Sequence, residues 1–134
     1  LADLGVPFWL SLTVAARATR AGEPLSEAFA MAAGMPGLVA VGANCCDPAE
    51  LPAALTELVR VLAPGGRILI GYFDGEPGER FAHAVAPAYY WSAEALGTLL
   101  VSVGLRVIGA ERREREPGAA GSARPHGAVI ACRP

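Results

Sequence analysis

Apolar residues in this chain come in short blocks, and their spacing switches repeatedly between the period of a strand and the period of a helix. Residues 7–14, Pro-Phe-Trp-Leu-Ser-Leu-Thr-Val, are aromatic and β-branched and read as a strand. Arg17, Arg20, Gly22 and Pro24 mark a loop over residues 15–24. From Leu25 to Ala33, Leu25, Ala28, Phe29 and Ala32 fall on one helical face, and Gly34 and Pro36 stop the helix. Leu38 to Ala43 is a fully apolar run, which suits a strand covered on both sides. Asp47, Pro48 and Glu50 then form a helix start signal: an N-cap, a proline at the first position and an acid at the third. The stripe Leu51, Leu55, Leu58, Val59 and Leu62 follows, and Pro64-Gly65-Gly66 ends it.

The same punctuation continues. Arg67 to Phe73 is a strand, Asp74-Gly75 turns away from it, and residues 75–91 form a long connection. Ser92 caps a third helix with Leu96, Leu99, Leu100 and Val103 on its stripe, closed by Gly104. Leu105 to Ala110 and Gly127 to Cys132 are strands. Between them lie a charged run, Glu111 to Glu116, read as a solvated strand end, and a Gly/Ala/Pro loop over Pro117–Pro125. The order β-α-β-α-β-α-β-β predicts an α/β fold, a partial Rossmann-like and mostly parallel sheet with an antiparallel last strand.

Composition narrows what such a fold is expected to do. The 134 residues have room for one domain, and 53% hydrophobic against 18% charged is enough for a core. A net charge of −2 leaves no basic face, so neither nucleic acid nor an anionic membrane is expected as a partner. Arginine supplies all 11 basic residues, which excludes chemistry that needs a lysine, such as a Schiff base or a P-loop. The three cysteines, Cys45, Cys46 and Cys132, form no disulfide framework. No apolar run approaches the roughly 20 residues of a membrane span, and no basic leader precedes the first strand. The expectation is therefore a reduced, cytoplasmic chain. The chain begins with Leu1 where an initiator Met would stand, which raises the expectation of a truncated domain.

Two families share the text. From about Glu50 onward, Leu-Thr-Glu-Leu-Val-Arg-Val-Leu-Ala-Pro-Gly-Gly-Arg-Ile-Leu-Ile (residues 55–70) resembles the C-terminal half of class I S-adenosylmethionine-dependent methyltransferases. There a helix, a Pro-Gly-Gly turn and the fifth strand follow in this order. Phe-Ala-His-Ala-Val and Ala-Tyr-Tyr-Trp-Ser resemble the connection on that family's substrate side. The resemblance implies S-adenosylmethionine as cofactor and a small-molecule acceptor, with His83, Tyr89, Tyr90 and Trp91 as substrate-binding candidates. Asp74, at a strand end, is the candidate for the cofactor side. The family's glycine-rich turn after its first strand has no full counterpart here: Asp3-Leu4-Gly5 opens like one but continues Val-Pro-Phe-Trp.

The first 50 residues resemble homocysteine S-methyltransferases instead. The carrying pieces are Trp9-Leu10-Ser11-Leu12-Thr13, Gly22-Glu23-Pro24-Leu25 and Val39-Ala40-Val41-Gly42-Ala43-Asn44-Cys45. Those enzymes are (β/α)8 barrels that activate the homocysteine thiol on a zinc ion held by thiolates. The resemblance implies Cys45 as a zinc ligand; the family's Gly-Gly-Cys-Cys pair does not occur in these 134 residues.

The two resemblances meet near residues 47–52. One expectation is thus a single α/β domain over residues 1–134, chimeric or truncated, with a barrel-like segment over 1–50 and a class I methyltransferase half over 51–134. The expected function is methyl transfer from S-adenosylmethionine to an unidentified small molecule. The alternatives are a zinc-dependent homocysteine S-methyltransferase fragment and a non-catalytic binding or assembly module. An exposed sheet edge would favour a homodimer.

Overall fold

A computed structural model describes residues 6–83, 87–114 and 124–134. Asp3-Leu4-Gly5, Arg115, Glu116 and most of the Pro117–Pro125 loop lie outside the described residues. The chain divides into two compact units, Leu1–Val61 and Leu62–Pro134.

In the first unit, β1 (Phe8–Ala15), β2 (Ala18–Thr19) and β3 (Leu38–Asn44) form a three-stranded sheet in the order β2-β1-β3. β1 and β3 are parallel, from Trp9 opposite Ala40 to Thr13 opposite Asn44, and β1 and β2 are antiparallel. The parallel pairing requires a crossover, and α1 (Leu25–Ala33) supplies it. α1 has the bounds that its apolar spacing predicts. The helix buries Leu25, Phe29 and Ala32. α2 (Leu51–Val61) buries Ala54 and Leu55. Val14, Leu25, Phe29 and Ala54 make the core, with Leu12, Val41, Ala43, Cys46 and Leu58 packed around it. The Asp47 part of the start signal for α2 works as read: Asp47 Oδ1 accepts from the Ala49 amide at 2.9 Å, and its carbonyl accepts from Leu51, where α2 begins, three residues later than the proline suggests.

The second unit contains β4 (Arg67–Asp74), β5 (Arg80–Phe81), β6 (Ala88–Trp91), α3 (Ala93–Ser102), β7 (Arg106–Arg113) and β8 (His126–Cys132). Their sheet runs β5-β6-β4-β8-β7. α3 packs on one face of it, over β7 and β8. Leu96, Leu100, Leu105, Val129 and Ala131 form its buried interior. Ser92 caps α3 by accepting from the Ala95 amide at 3.1 Å. Gly104, at φ +85°, turns the chain out, while the Leu105 amide reaches back to the Leu100 carbonyl. That arrangement is a Schellman ending with its apolar contact in place. Ser92→Ala is expected to lower stability by about 1 kcal/mol, because one buried-end amide loses its acceptor. Urea unfolding measures this, and an unchanged midpoint would show that the cap contributes nothing.

Three expectations need correction. There are two sheets among the described residues; the first is mixed, with the parallel pair β1–β3 the longer, and the second is largely antiparallel. Parallel pairing is confined to β1–β3 and β4–β6; the pairs β1–β2, β5–β6, β4–β8 and β7–β8 are antiparallel. The last strand is antiparallel as expected, but β8 inserts between β4 and β7 and runs against both, so it carries two antiparallel ladders where one was expected. The connection over 75–91 also contains β5 and β6, and the loop over 15–24 contains β2. These strands are two to four residues long, too short for periodicity to register. The methyltransferase-like α/β character stands. No helix among the described residues is long and apolar enough to cross a membrane.

Candidate functional site

The end of β4 gathers most of the chemistry of the second unit. Residues directly opposite each other in a sheet point to the same face, and neighbours along a strand point to opposite faces. Tyr72 opposes Gly127, which opposes Arg112, and Asp74 opposes Trp91. These four side-chain-bearing residues share the face that carries α3. Phe73 opposes Tyr90 on one side and His126 on the other, and His126 opposes Arg113. These share the other face.

The pleat therefore divides the candidates that the sequence lists side by side. Tyr90 goes to one face; Tyr89 and Trp91 go to the other. Tyr90 joins an aromatic cluster. Its ring centroid lies 4.5 Å from that of Phe81, Phe73 meets Phe81 edge-on at 5.1 Å, and His83 lies 5.7 Å from Phe73. Arg124 stacks over Phe81 at 4.3 Å and donates through Nε to the Tyr90 hydroxyl at 3.0 Å. Gly75 makes room for this ring: a Cβ there would stand 2.8 Å from Tyr90. Phe73, Phe81 and Arg124 were not sequence candidates. Phe81 and Arg124 sit in segments that read as loop, and Phe73 reads as strand core.

Asp74 has a different environment. Its carboxylate pairs with Arg112 Nε at 2.5 Å, across the position of Gly127. Because Gly127 has no side chain, Arg112 can reach over β8, and the Tyr72 ring fills the same gap. Burial, followed by the Asp74 charge, pushes the Tyr72 phenol above its ordinary range, and Arg112 opposes that rise. Asp74 is thus held in place by a cation on the neighbouring ladder.

Cys45 lies in the first unit, at the C-terminal end of β3. It is exposed and adopts φ +51°, a left-handed conformation unusual for a side-chain-bearing residue. Its neighbour Cys46 is half-buried, and the thiol donates to the Asp47 carbonyl at 3.4 Å. Burial, with Glu50 and Asp47 nearby, pushes that thiol up to about 11. A zinc centre needs deprotonated sulfur and at least three protein ligands. Among the described residues no three His, Cys, Asp or Glu side chains are grouped to hold a metal. The described residues by themselves do not fit a zinc site.

The thiols make a pH prediction. With Cys46 near 11, its thiolate fraction at pH 8 is on the order of one in a thousand. Native-state alkylation at pH 8 should mark exposed Cys45 first, with Cys46 following only as pH approaches 11. Fragment mass spectrometry reads this, and early labelling of Cys46 would contradict it. The linkage has a definite sign. A thiol raised in the folded state favours folding below the ordinary cysteine value, and this contribution is lost as pH rises toward 11.

Comparison with known proteins supplies two results. The family model Homocysteine S-methyltransferase matches residues 1–110. Among solved structures, the chain is similar to a SAM-dependent methyltransferase from Methanosarcina mazei, with 17% identity and a TM-score of 0.57. That match covers 98% of this chain and 84% of the other. It is also similar to the 1,6-didemethyltoxoflavin-N1-methyltransferase of Burkholderia thailandensis, with 20% identity and a TM-score of 0.58. There 98% of this chain and 73% of the other are covered, and that structure holds 1,6-didemethyltoxoflavin and S-adenosylhomocysteine. At these identities the likeness is one of fold. No curated protein matches the chain.

Proposed function

Because the chain belongs to the homocysteine S-methyltransferase family, through a match over residues 1–110, while its fold is that of SAM-dependent methyltransferases, we propose that it transfers a methyl group from S-adenosylmethionine to a small-molecule acceptor. The observation that carries this reading is the fold likeness over 98% of the chain. When bound, the cofactor supplies an electrophilic methyl on a cationic sulfur. Asp74 and Trp91 share one face at the strand ends of β4 and β6; the indole favours a cation, and the carboxylate, already paired with Arg112, can still accept from hydroxyl groups of a bound cofactor. Arg112 orients Asp74 and keeps it from swinging into solvent. Tyr90 and His83, with Phe73 and Phe81, form the apolar surface against which an acceptor would rest. These two surfaces lie on opposite faces of the sheet, so in-line transfer has to take place past the strand ends of β4 and β6, where both faces meet.

Calorimetric titration with S-adenosylhomocysteine tests the reading. Saturable heat is expected, and Asp74→Asn or Trp91→Leu should weaken it by about tenfold, the equivalent of about 1.4 kcal/mol. A folded sample that gives no heat would refute it.

A second reading has its own support. The family match and the strand end Gly42-Ala43-Asn44-Cys45 favour homocysteine as the acceptor. Under this reading, homocysteine should compete for the same methyl group. Zinc analysis separates it from barrel-type chemistry: one zinc per chain that disappears in Cys45→Ser would restore the metal mechanism.

A further inference from the structure

The face of the five-stranded sheet that carries Phe73 holds a shallow cavity of about 220 Å³, lined by Leu69, Ala128, Gly127, His126, Glu111 and Arg113. Cross-strand register explains its shape. Leu69 opposes Ile130, Gly71 opposes Ala128, which opposes Glu111, and Phe73 opposes His126, which opposes Arg113. Gly71 and Ala128 thus leave a low floor one residue pair deep. Phe73 ties the upper rim to the cluster of Phe81, His83 and Tyr90. Leu69, on the lower side, is 67% exposed.

We propose that this trough binds a planar heteroaromatic molecule whose edge carries both hydrogen-bond donors and acceptors. Flatness follows from the floor: small side chains let a ring lie against the backbone, and Leu69 and His126 bound it below and above. The edge chemistry follows from the wall. Arg113 offers only donors and Glu111 only acceptors, and His126 can serve as either. Arg113 and Glu111 are 3.7 Å apart, a loose pair that leaves both heads able to turn toward a ligand. A purely anionic or purely cationic ligand would meet one matched and one opposed charge, whereas a donor–acceptor edge matches both. The volume admits one or two fused rings. The proposal rests on the reading above only for the fate of the ligand, since the trough adjoins the surface assigned to the acceptor; binding itself needs no cofactor.

Lumazine, a fluorescent pteridinedione, is a suitable probe, titrated into the full chain without S-adenosylmethionine. Saturable quenching is expected. It should weaken at least tenfold in Leu69→Arg, a substitution at an exposed position that fills the trough without disturbing the core. Arg113→Ala should weaken lumazine but leave naphthalene, which has no polar edge, unchanged. No saturation by lumazine, or equal binding by Leu69→Arg, would overturn the proposal. So would a dimer that Leu69→Arg dissolves, found together with no lumazine binding, because the face would then belong to a second copy. Lumazine binding without any S-adenosylhomocysteine binding would uphold the trough and remove the methyl-transfer reading instead.

Discussion

Gly127→Ala is expected to destabilise the second unit more than any other single methyl addition in its sheet. A Cβ at this position would stand 2.5 Å from the Tyr72 hydroxyl oxygen and 2.6 Å from the Glu111 carbonyl oxygen. The first contact involves the end of a side chain, but Tyr72 is only 9% exposed and has little space to retreat into. The second involves backbone within the β7–β8 ladder, where Arg112 opposes Gly127 and Glu111 opposes Ala128. Moving that carbonyl breaks ladder hydrogen bonds on the strand that β8 joins to β4. Overpacking of this kind costs about 1–3 kcal/mol and occasionally more, and the backbone contact places this case at the upper end. The Arg112–Asp74 pair, which spans the same gap, should be lost with it. Denaturant unfolding supplies the measurement, with Tyr72→Phe as the control that removes only the hydroxyl contact. A loss below about 1 kcal/mol in Gly127→Ala would mean that β8 shifts freely.

Phe29→Ala is the corresponding experiment in the first unit. Phe29 is 2% exposed and lies in the cluster with Val14, Leu25 and Ala54. It is the only aromatic ring in that cluster's buried set, so its removal leaves a cavity that aliphatic neighbours cannot fill by rotation. Such truncations cost about 3–5 kcal/mol, a large share of the roughly 5–15 kcal/mol that holds a small domain together. Loss of the cooperative transition or a strongly lowered midpoint is expected. Phe29→Leu should retain most of the stability, because it keeps apolar volume. Equal behaviour of the two variants would show that packing at this position is not what holds α1 on the sheet.

Much of this molecule was legible in its residues because the signals are local. The cap at Ser92, the turn at Gly104 and the start at Asp47 each satisfy helix-end groups within a few residues, and the structure realises all three. The apolar stripe of α1 is likewise a property of nine consecutive residues. The resemblance to two methyltransferase families was carried by short runs as well, and both families recur in the comparisons.

The candidate site was legible only as an inventory. His83, Tyr90 and Asp74 could be named, yet nothing in their order indicates that Asp74 and Tyr90 face opposite sides of one sheet. Arg112 lies 38 residues from the carboxylate it holds, and Arg124 lies 34 residues from the Tyr90 hydroxyl. Cys45 resembled a metal ligand by its tetrapeptide, but the character of the thiol beside it depends on how Cys46 is buried.

The sequence by itself determined the helices, their ends and the strands that are long enough to show a period, since these depend on contacts a few residues apart. Only the tertiary structure decided strand partners. Placing the antiparallel β8 between β4 and β7, and not at an edge, makes the five-stranded sheet largely antiparallel, through backbone pairing to which side-chain pattern is nearly blind. That insertion also brings Gly127 between Tyr72 and Arg112 and sets Phe73 beside His126. Both faces of the site therefore follow from a ladder register that no local pattern encodes.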